Sequence, residues 1–233
     1  HAEDGIRDSV ASRGLGDVYK RQDQIKNAIR VDDVHFPVTS LICIENTHNK
    51  CHGYPLELDY INEVCSLAHG NNIKVHMDGA RLFNACAALD ITADTILKNV
   101  DSVTFCLSKG LSAPIGSVIC GSNNFIIEAR RIRKSLGGGM RQVGVLAAAA
   151  KFALGNRSNI LKDHEKSKKI YTFVSKLGHP GIKNTVYRDT NIVFLHFTSQ
   201  EAAQLFTENL ANQNINVGMF SKNIVRLVAH LDI

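Results

Sequence analysis

The sequence predicts an α/β protein: a mostly parallel sheet with flanking helices in residues 23–155, followed by a smaller C-terminal α+β domain in residues 156–233. Three observations carry this reading. Between residues 41 and 120, short β-rich runs alternate with segments of helical period, the pattern of the strand–helix–strand units that build parallel sheets. After Gly155 a charged helical segment leads into well-separated strand and helix patterns, which suits an α+β layer. A content of 44% hydrophobic and 21% charged residues over 233 positions suffices for one substantial core or two smaller ones, and excludes a disordered or fibrous chain.

Taken in order, residues 1–22 carry charges and glycines without a sustained period and lack the apolar centre of a signal peptide, so they are expected to be a disordered or non-native leader. Leu41, Ile42, Cys43 and Ile44 form an apolar run, read as a buried strand, and an Asn-, His- and Gly-containing loop follows. Over residues 58–70 a helical period places Ile61, Val64, Cys65 and Ala68 on one face, with Gly70 as the stop. Strands are expected at 73–77, 102–107 and 117–120, with a helix over 82–89 between the first two. A helix over 124–135 runs into Gly137-Gly138-Gly139, a sharp connection free of side chains, and an alanine-rich helix follows over 142–154. In the second domain, helices over 160–177 and 200–213 accompany strands at 191–197 and 224–228.

Several function classes are excluded by composition. Lys+Arg of 27 against Asp+Glu of 22 gives +5, too mild and dispersed for a nucleic-acid surface. The cationic run Arg130, Arg131, Arg133 and Lys134 reads as a solvated helix face, since no aromatic stacking platform accompanies it. No apolar run approaches the roughly 20 residues that cross a bilayer, so a soluble chain is expected. The six cysteines show no metal or redox spacing, so no metal site is expected. Cys43, Cys106 and Cys120 sit in apolar β-like runs as small hydrophobes, which favours a reducing, cytoplasmic compartment.

The chemistry is read from one edge of the sheet. Asp78 stands where an apolar strand ends, and Lys109 follows the next strand, 31 residues later, about one strand–helix–strand unit. Both therefore belong to the carboxyl edge, outside which open α/β sheets bind ligands. Alone, the aspartate reads as a turn cap and the lysine as a solvated charge. Together with Arg81, and with Ser108 and Gly110 flanking the lysine, they suggest a site. A lysine beside other cations deprotonates more readily, and its amine then attacks a carbonyl to form a Schiff base. Pyridoxal 5'-phosphate needs such a lysine, with an acid partner for its ring nitrogen.

Four segments in order extend this picture: LICIENTHN at 41–49, HMDGARLFNA at 76–85, CLSKGL at 106–111 and LGGGMRQ at 136–142, with a weaker fifth, RLVAH, at 226–230. In them the chain resembles the low-specificity L-threonine aldolases, enzymes of the aspartate-aminotransferase-like fold type. The resemblance implies cleavage of L-threonine or L-allo-threonine to glycine and acetaldehyde by a homo-oligomer, dimer or tetramer, that uses pyridoxal 5'-phosphate. It implies that Lys109 holds the cofactor, that Asp78 pairs with the ring nitrogen, and that Arg81 and Arg226 hold the substrate carboxylate. His35 is the candidate base or the positioner of that base. His48 is expected to organise its loop, with Glu45 and Asn46 as partners. The segment from Gly137 to Arg141 reads either as a phosphate cradle, for its own subunit or a neighbour's, or as a tight interhelical turn.

The chain also departs from the family's pattern. Residues 50–54 stand where a two-glycine loop is usual. The stretch with a phosphate-binding turn and a ring-stacking group, expected upstream of Asp23, has no counterpart, and a further helix is expected beyond Ile233. Two alternatives stay open: another lyase or transferase of the same fold, and a truncated form that only associates with intact subunits.

Overall fold

The computed structural model describes residues 21–233. The expected leader, residues 1–22, lies outside them except for its last two, which open helix α1, Arg21–Ala28. This helix has no expectation from sequence because its apolar contribution is slight: Ile25, and Ile29 just beyond its end, pack one turn apart against the first core.

The first sheet contains β1 (Leu41–Glu45), β2 (Lys74–Gly79), β3 (Ser102–Cys106) and β4 (Ser117–Gly121), in that order across the sheet. The first three strands are parallel and β4 returns antiparallel to β3, which gives the mostly parallel sheet expected. Helix α2 (Leu58–Gly70) connects β1 to β2, while α3 (Leu82–Leu89) and the single turn α4 (Ala93–Ile96) connect β2 to β3. The face of α2 predicted from its period is buried, with Tyr60 added to it. Gly70 is the last helical residue rather than the stop; the left-handed residue that turns the chain is Asn72, at φ 57°.

Strand alternation divides this sheet in two. Ile44, Val75, Met77 and Val103 point to one side, where they join Ile61, Val64, Ala68, Leu82 and Ala85 in a closed core. Cys43, His76, Asp78 and Thr104 lie in register across the other side, where Cys43 and Asp78 are exposed and His76 bonds Ser102 at 2.8 Å. The strand cysteines are therefore not the small buried hydrophobes that their apolar runs suggest: Cys43, on the open face, is exposed and Cys106 half-buried, while Cys120 shares the face of Val103 but is exposed on the edge strand β4. The buried thiols are instead Cys65 and Cys86 on the covering helices, both pushed by desolvation up to about 11.

Helix α5 (Asn123–Ser135), started by Ser122 Oγ accepting from Phe125 N–H at 3.3 Å, and α6 (Gly144–Gly155) lead to the long α7 (Ile160–Leu177). The second sheet follows: β5 (Ile182–Tyr187), β6 (Ile192–Phe197), helix α8 (Gln200–Ala211), β7 (Gly218–Ser221) and β8 (Ile224–Val228). Its order is β5-β6-β8-β7, antiparallel throughout. β5 and β7 escape sequence reading because one is half polar and the other only four residues long. Val193, Leu195, Phe197 and Val225 form this layer's core, with Tyr171 and Val174 of α7 and Phe206 of α8 against it. Among the described residues, no helix is long and apolar enough to cross a membrane.

One charged group ties the strand starts of the first sheet together. Asp101 accepts from Lys74 Nζ at 2.8 Å, from Val75 N–H at 2.9 Å and from His69 Nε2 at 2.8 Å. Desolvation pushes its carboxyl up, but the three bonds outweigh that and bring it down to about 2. A carboxylate depressed in the folded state stabilises above its unfolded pKa and loses that contribution as pH falls through the folded one. Urea unfolding of Asp101→Asn should therefore show a loss of about 1 kcal/mol at pH 7, after discounting for solvent screening, and a smaller difference from the parent at pH 2.

Candidate active site

Parallel register sets the geometry of the site. Glu45, Asp78 and Thr104 are neighbours across β1, β2 and β3, so the three strands reach the same carboxyl edge. Asp78 accepts Asn46 N–H at its backbone carbonyl (2.8 Å) and Ala80 N–H at Oδ1 (3.0 Å), which closes a turn directly after β2. Gly79 permits that turn, since a Cβ there would lie 2.8 Å from the Thr104 carbonyl. The aspartate thus works as a turn former while its carboxylate stays exposed at the edge.

Lys109 stands three residues beyond β3, in a tight turn. Leu107 N–H donates to Gly116 O (2.9 Å), Ala113 N–H to Leu107 O (2.9 Å) and Ser112 N–H to Lys109 O (2.8 Å). Leu107, Leu111 and Ala113 anchor the turn in a small core shared with Ala150 and Ala153, and leave Lys109 exposed. Gly110 abuts the Asn84 amide oxygen, which a Cβ would overlap. Asn84 Nδ2 lies 3.1 Å from His164 Nε2 of α7, and Tyr187 Oη donates to the His164 carbonyl at 3.2 Å. Burial pushes His164 down to about 4, so its ring is neutral and accepts from the amide at neutral pH.

Arg81 follows the Asp78 turn at the start of α3 and is half-buried. Burial and then the charge of Arg226 lower its pKa, with Cys106 and Glu45 opposing. Among the described residues its Nε is buried without a hydrogen-bond partner. Arg226 reaches the same crevice from β8, where it donates from Nη1 to Asn49 Oδ1 at 2.7 Å and lies 5.5 Å from the centre of the Phe220 ring. Two guanidinium groups held close together, one with an orphaned donor, are suited to a carboxylate. An amine and a carboxylate on adjacent strand ends suit a ligand that presents a carbonyl and a basic ring nitrogen.

The other predicted residues take different places. His48 pairs with Glu45 as expected, at 3.2 Å, whereas Asn46 bonds the Leu56 N–H (3.1 Å) and so serves the far end of the loop. His35 is 83% exposed and bonds Asp33 through Nδ1 (2.7 Å) and its backbone N–H (2.8 Å); no contact among the described residues carries it to Asp78 or Lys109. Arg141 is also exposed. In the glycine loop beside it, Gly137 N–H donates to Lys134 O (3.1 Å) and Gly138 N–H to Arg133 O (2.8 Å), bonds that close the end of α5 as a tight turn. Sequence reasoning did not find Asn49 or the Asn84–His164 bond as parts of the site. Each depends on a partner far along the chain, which no local pattern records.

The sequence model of the beta-eliminating lyase family matches residues 10–198. The chain belongs to this family. Among relatives, low-specificity L-threonine aldolase 1 of Arabidopsis thaliana is 42% identical over 199 residues, covering 84% of this chain and 55% of the relative. The low specificity L-threonine aldolase of Escherichia coli K12 is 38% identical over 212 residues, 91% of this chain and 61% of the relative. The chain spans about half the length of the curated relatives it matches. In fold, this lyase-family chain is similar to the threonine aldolase of Leishmania major, with a TM-score of 0.67 at 19% identity over 89% of this chain and 61% of the other.

The depressed His164 has a testable consequence. A buried imidazole that resists protonation makes the unfolded chain the better proton binder below pH 6.5, so stability falls from there and levels off below about pH 4. Urea-derived stability should drop by as much as ~3 kcal/mol across that window from this group alone, and His164→Gln, which keeps an acceptor for Asn84, should flatten the slope.

Proposed function

We propose that this chain is the core of a pyridoxal 5'-phosphate-dependent aldehyde-lyase that cleaves L-threonine and L-allo-threonine to glycine and acetaldehyde. What supports the proposal is that Asp78 in β2 and Lys109 just beyond the parallel β3 belong to one carboxyl edge, with Arg226 acting on Arg81 beside it, together with family membership and the likeness to threonine aldolases. Lys109 would hold the cofactor and Asp78 would pair with its ring nitrogen. When bound, the cofactor supplies the electron sink for breaking the Cα–Cβ bond.

The chain's own groups bind, orient and move protons. Arg81 and Arg226 fix the substrate carboxylate, with the orphaned Arg81 Nε as one of the donors. His35 is proposed to take the β-hydroxyl proton: Asp33 at Nδ1 leaves Nε2 as the acceptor. Arg141 is proposed to bind the cofactor phosphate of a neighbouring subunit, because the Gly137 and Gly138 amides of its own loop are engaged in closing α5.

That last role requires self-association, which the surface of α5 and α6 supports. α5 buries none of its residues, and the apolar α6 buries only Ala150 and Ala153. Ile127, Ile132, Leu136, Val145 and Phe152 stand exposed along these two helices, and a second copy of the chain is the proposed occupant. A cytoplasmic location is proposed from the six free thiols.

Borohydride reduction of the chain loaded with pyridoxal phosphate should fix the cofactor to the peptide carrying Lys109, and Lys109→Ala should take no label. Asp78→Asn should keep the label while acetaldehyde release from L-threonine falls by about 100-fold or more. Labelling of a different lysine, or no acetaldehyde from either threonine diastereomer, would overturn the proposal.

A further inference from the structure

The second sheet is covered on both sides, and by different parts of the chain. Val193, Leu195 and Phe197 face α7 and α8. Ile192, Phe194 and His196 face the other way, in register with Val228, Arg226 and Ile224. Residues 48–54 cover this second side, although they follow β1 of the first sheet.

Three contacts seat that strap. Thr190 Oγ1 donates to the Gly53 carbonyl at 3.2 Å. The His52 ring meets Phe194 edge-on at 4.8 Å and lies 5.4 Å from His196. Arg226 Nη1 donates to Asn49 Oδ1 at 2.7 Å across 177 residues of chain. The fit is close at Gly53, where φ is 71° and a Cβ would stand 3.0 Å from Thr190 Oγ1 and 3.3 Å from Ile192 Cδ1. His52 beside it holds φ 62°, an unusual conformation for a residue with a side chain, which its packing on Phe194 supports.

The chemistry of the third contact decides its meaning. A guanidinium has five N–H donors, and a neutral amide oxygen engages one of them without cancelling the charge. The Phe220 ring lies against the same group. Glu45, the carboxylate beside Arg81, is bonded to His48, so the acceptor on Arg226 is the uncharged one. A long cationic side chain is thus held by a neutral acceptor and a ring face next to Arg81.

We infer that Asn49 is a positioning residue: it orients the Arg226 guanidinium for the substrate carboxylate, and the 48–54 strap brings that arginine from the second unit to the edge of the first. The inference rests on the proposed role of Arg226. It adds a determinant of amino-acid affinity to the loop that follows β1.

The test uses the chain loaded with pyridoxal phosphate and reads KM and kcat for L-threonine, the Kd of glycine by spectral titration and, on cofactor-free protein, hydrogen exchange over residues 48–54. Asn49→Ala should raise KM and the glycine Kd by about 10-fold while kcat changes less than about 2-fold, the scale of one hydrogen bond to a charged group. Asn49→Asp keeps an acceptor oxygen but neutralises Arg226, and should weaken glycine binding at least as much. Added to Arg226→Ala, Asn49→Ala should cause no further loss. If Arg226→Ala raises both constants and Asn49→Ala moves neither, Asn49 has no positioning role. If Asn49→Ala lowers kcat and opens the strap to exchange together, its role is structural and the inference fails. Unchanged constants in Arg226→Ala, or an unmodified chain that takes up no cofactor, would instead overturn the functional reading beneath it.

Discussion

β2 hydrogen-bonds in parallel to β1 on one side and to β3 on the other, and this double pairing brings Glu45, Asp78 and Thr104 into one row. A slip of one residue in either ladder would turn Asp78 toward the helices and Met77 toward solvent, so the closed core on one face enforces the chemistry on the other. The lysine turn inherits its place from the same constraint, because β3 ends in step with β2 and the turn is closed by its own backbone bonds. The carboxyl edge therefore collects an acid, an amine and a guanidinium without any of them contributing to the hydrophobic core.

Helix α7 and the second sheet are attached to this edge in two ways that differ in kind. Behind the lysine turn, buried Asn84 and His164 meet through a neutral bond, whose cost of burial is met by mutual satisfaction. In front, the strap lays a histidine, a glycine carbonyl and an asparagine on the second sheet. Between them lie the two guanidinium groups, Arg81 and Arg226, which repel one another. Placing like charges together costs stability and raises the affinity of the crevice for an anion, a common compromise in binding sites.

Much of this arrangement was legible in the sequence, for identifiable reasons. The alternation of strand and helix periods from residue 41 to 120 reports local burial, and the predicted elements fall within two residues of the observed ones. The 31-residue spacing of Asp78 and Lys109 reports topology, since one crossover returns the chain to the same edge. Arg226 came only through family resemblance, because a cation on a strand looks the same whether it faces solvent or a crevice. Asn49, Asn84 and His164 were illegible because each acquires its meaning from a partner more than 75 residues away. The strand cysteines misled for a related reason: an apolar run records the strand, but neither which of its faces is covered, as at Cys43, nor that it lies at the sheet edge, as at Cys120.

The uneven distribution of those cysteines gives the chain an intrinsic chemical reporter. Cys65 and Cys86 are sealed within the helical layer and remain protonated thiols, whereas Cys43 and Cys120 sit on the two outermost strands of the first sheet and are open. An alkylating reagent applied to the native protein therefore reads the margins of that sheet rather than its interior. Whatever comes to rest on β1 or β4, whether another subunit or more of the same polypeptide, would announce itself as shielding of one sulfur and not the other.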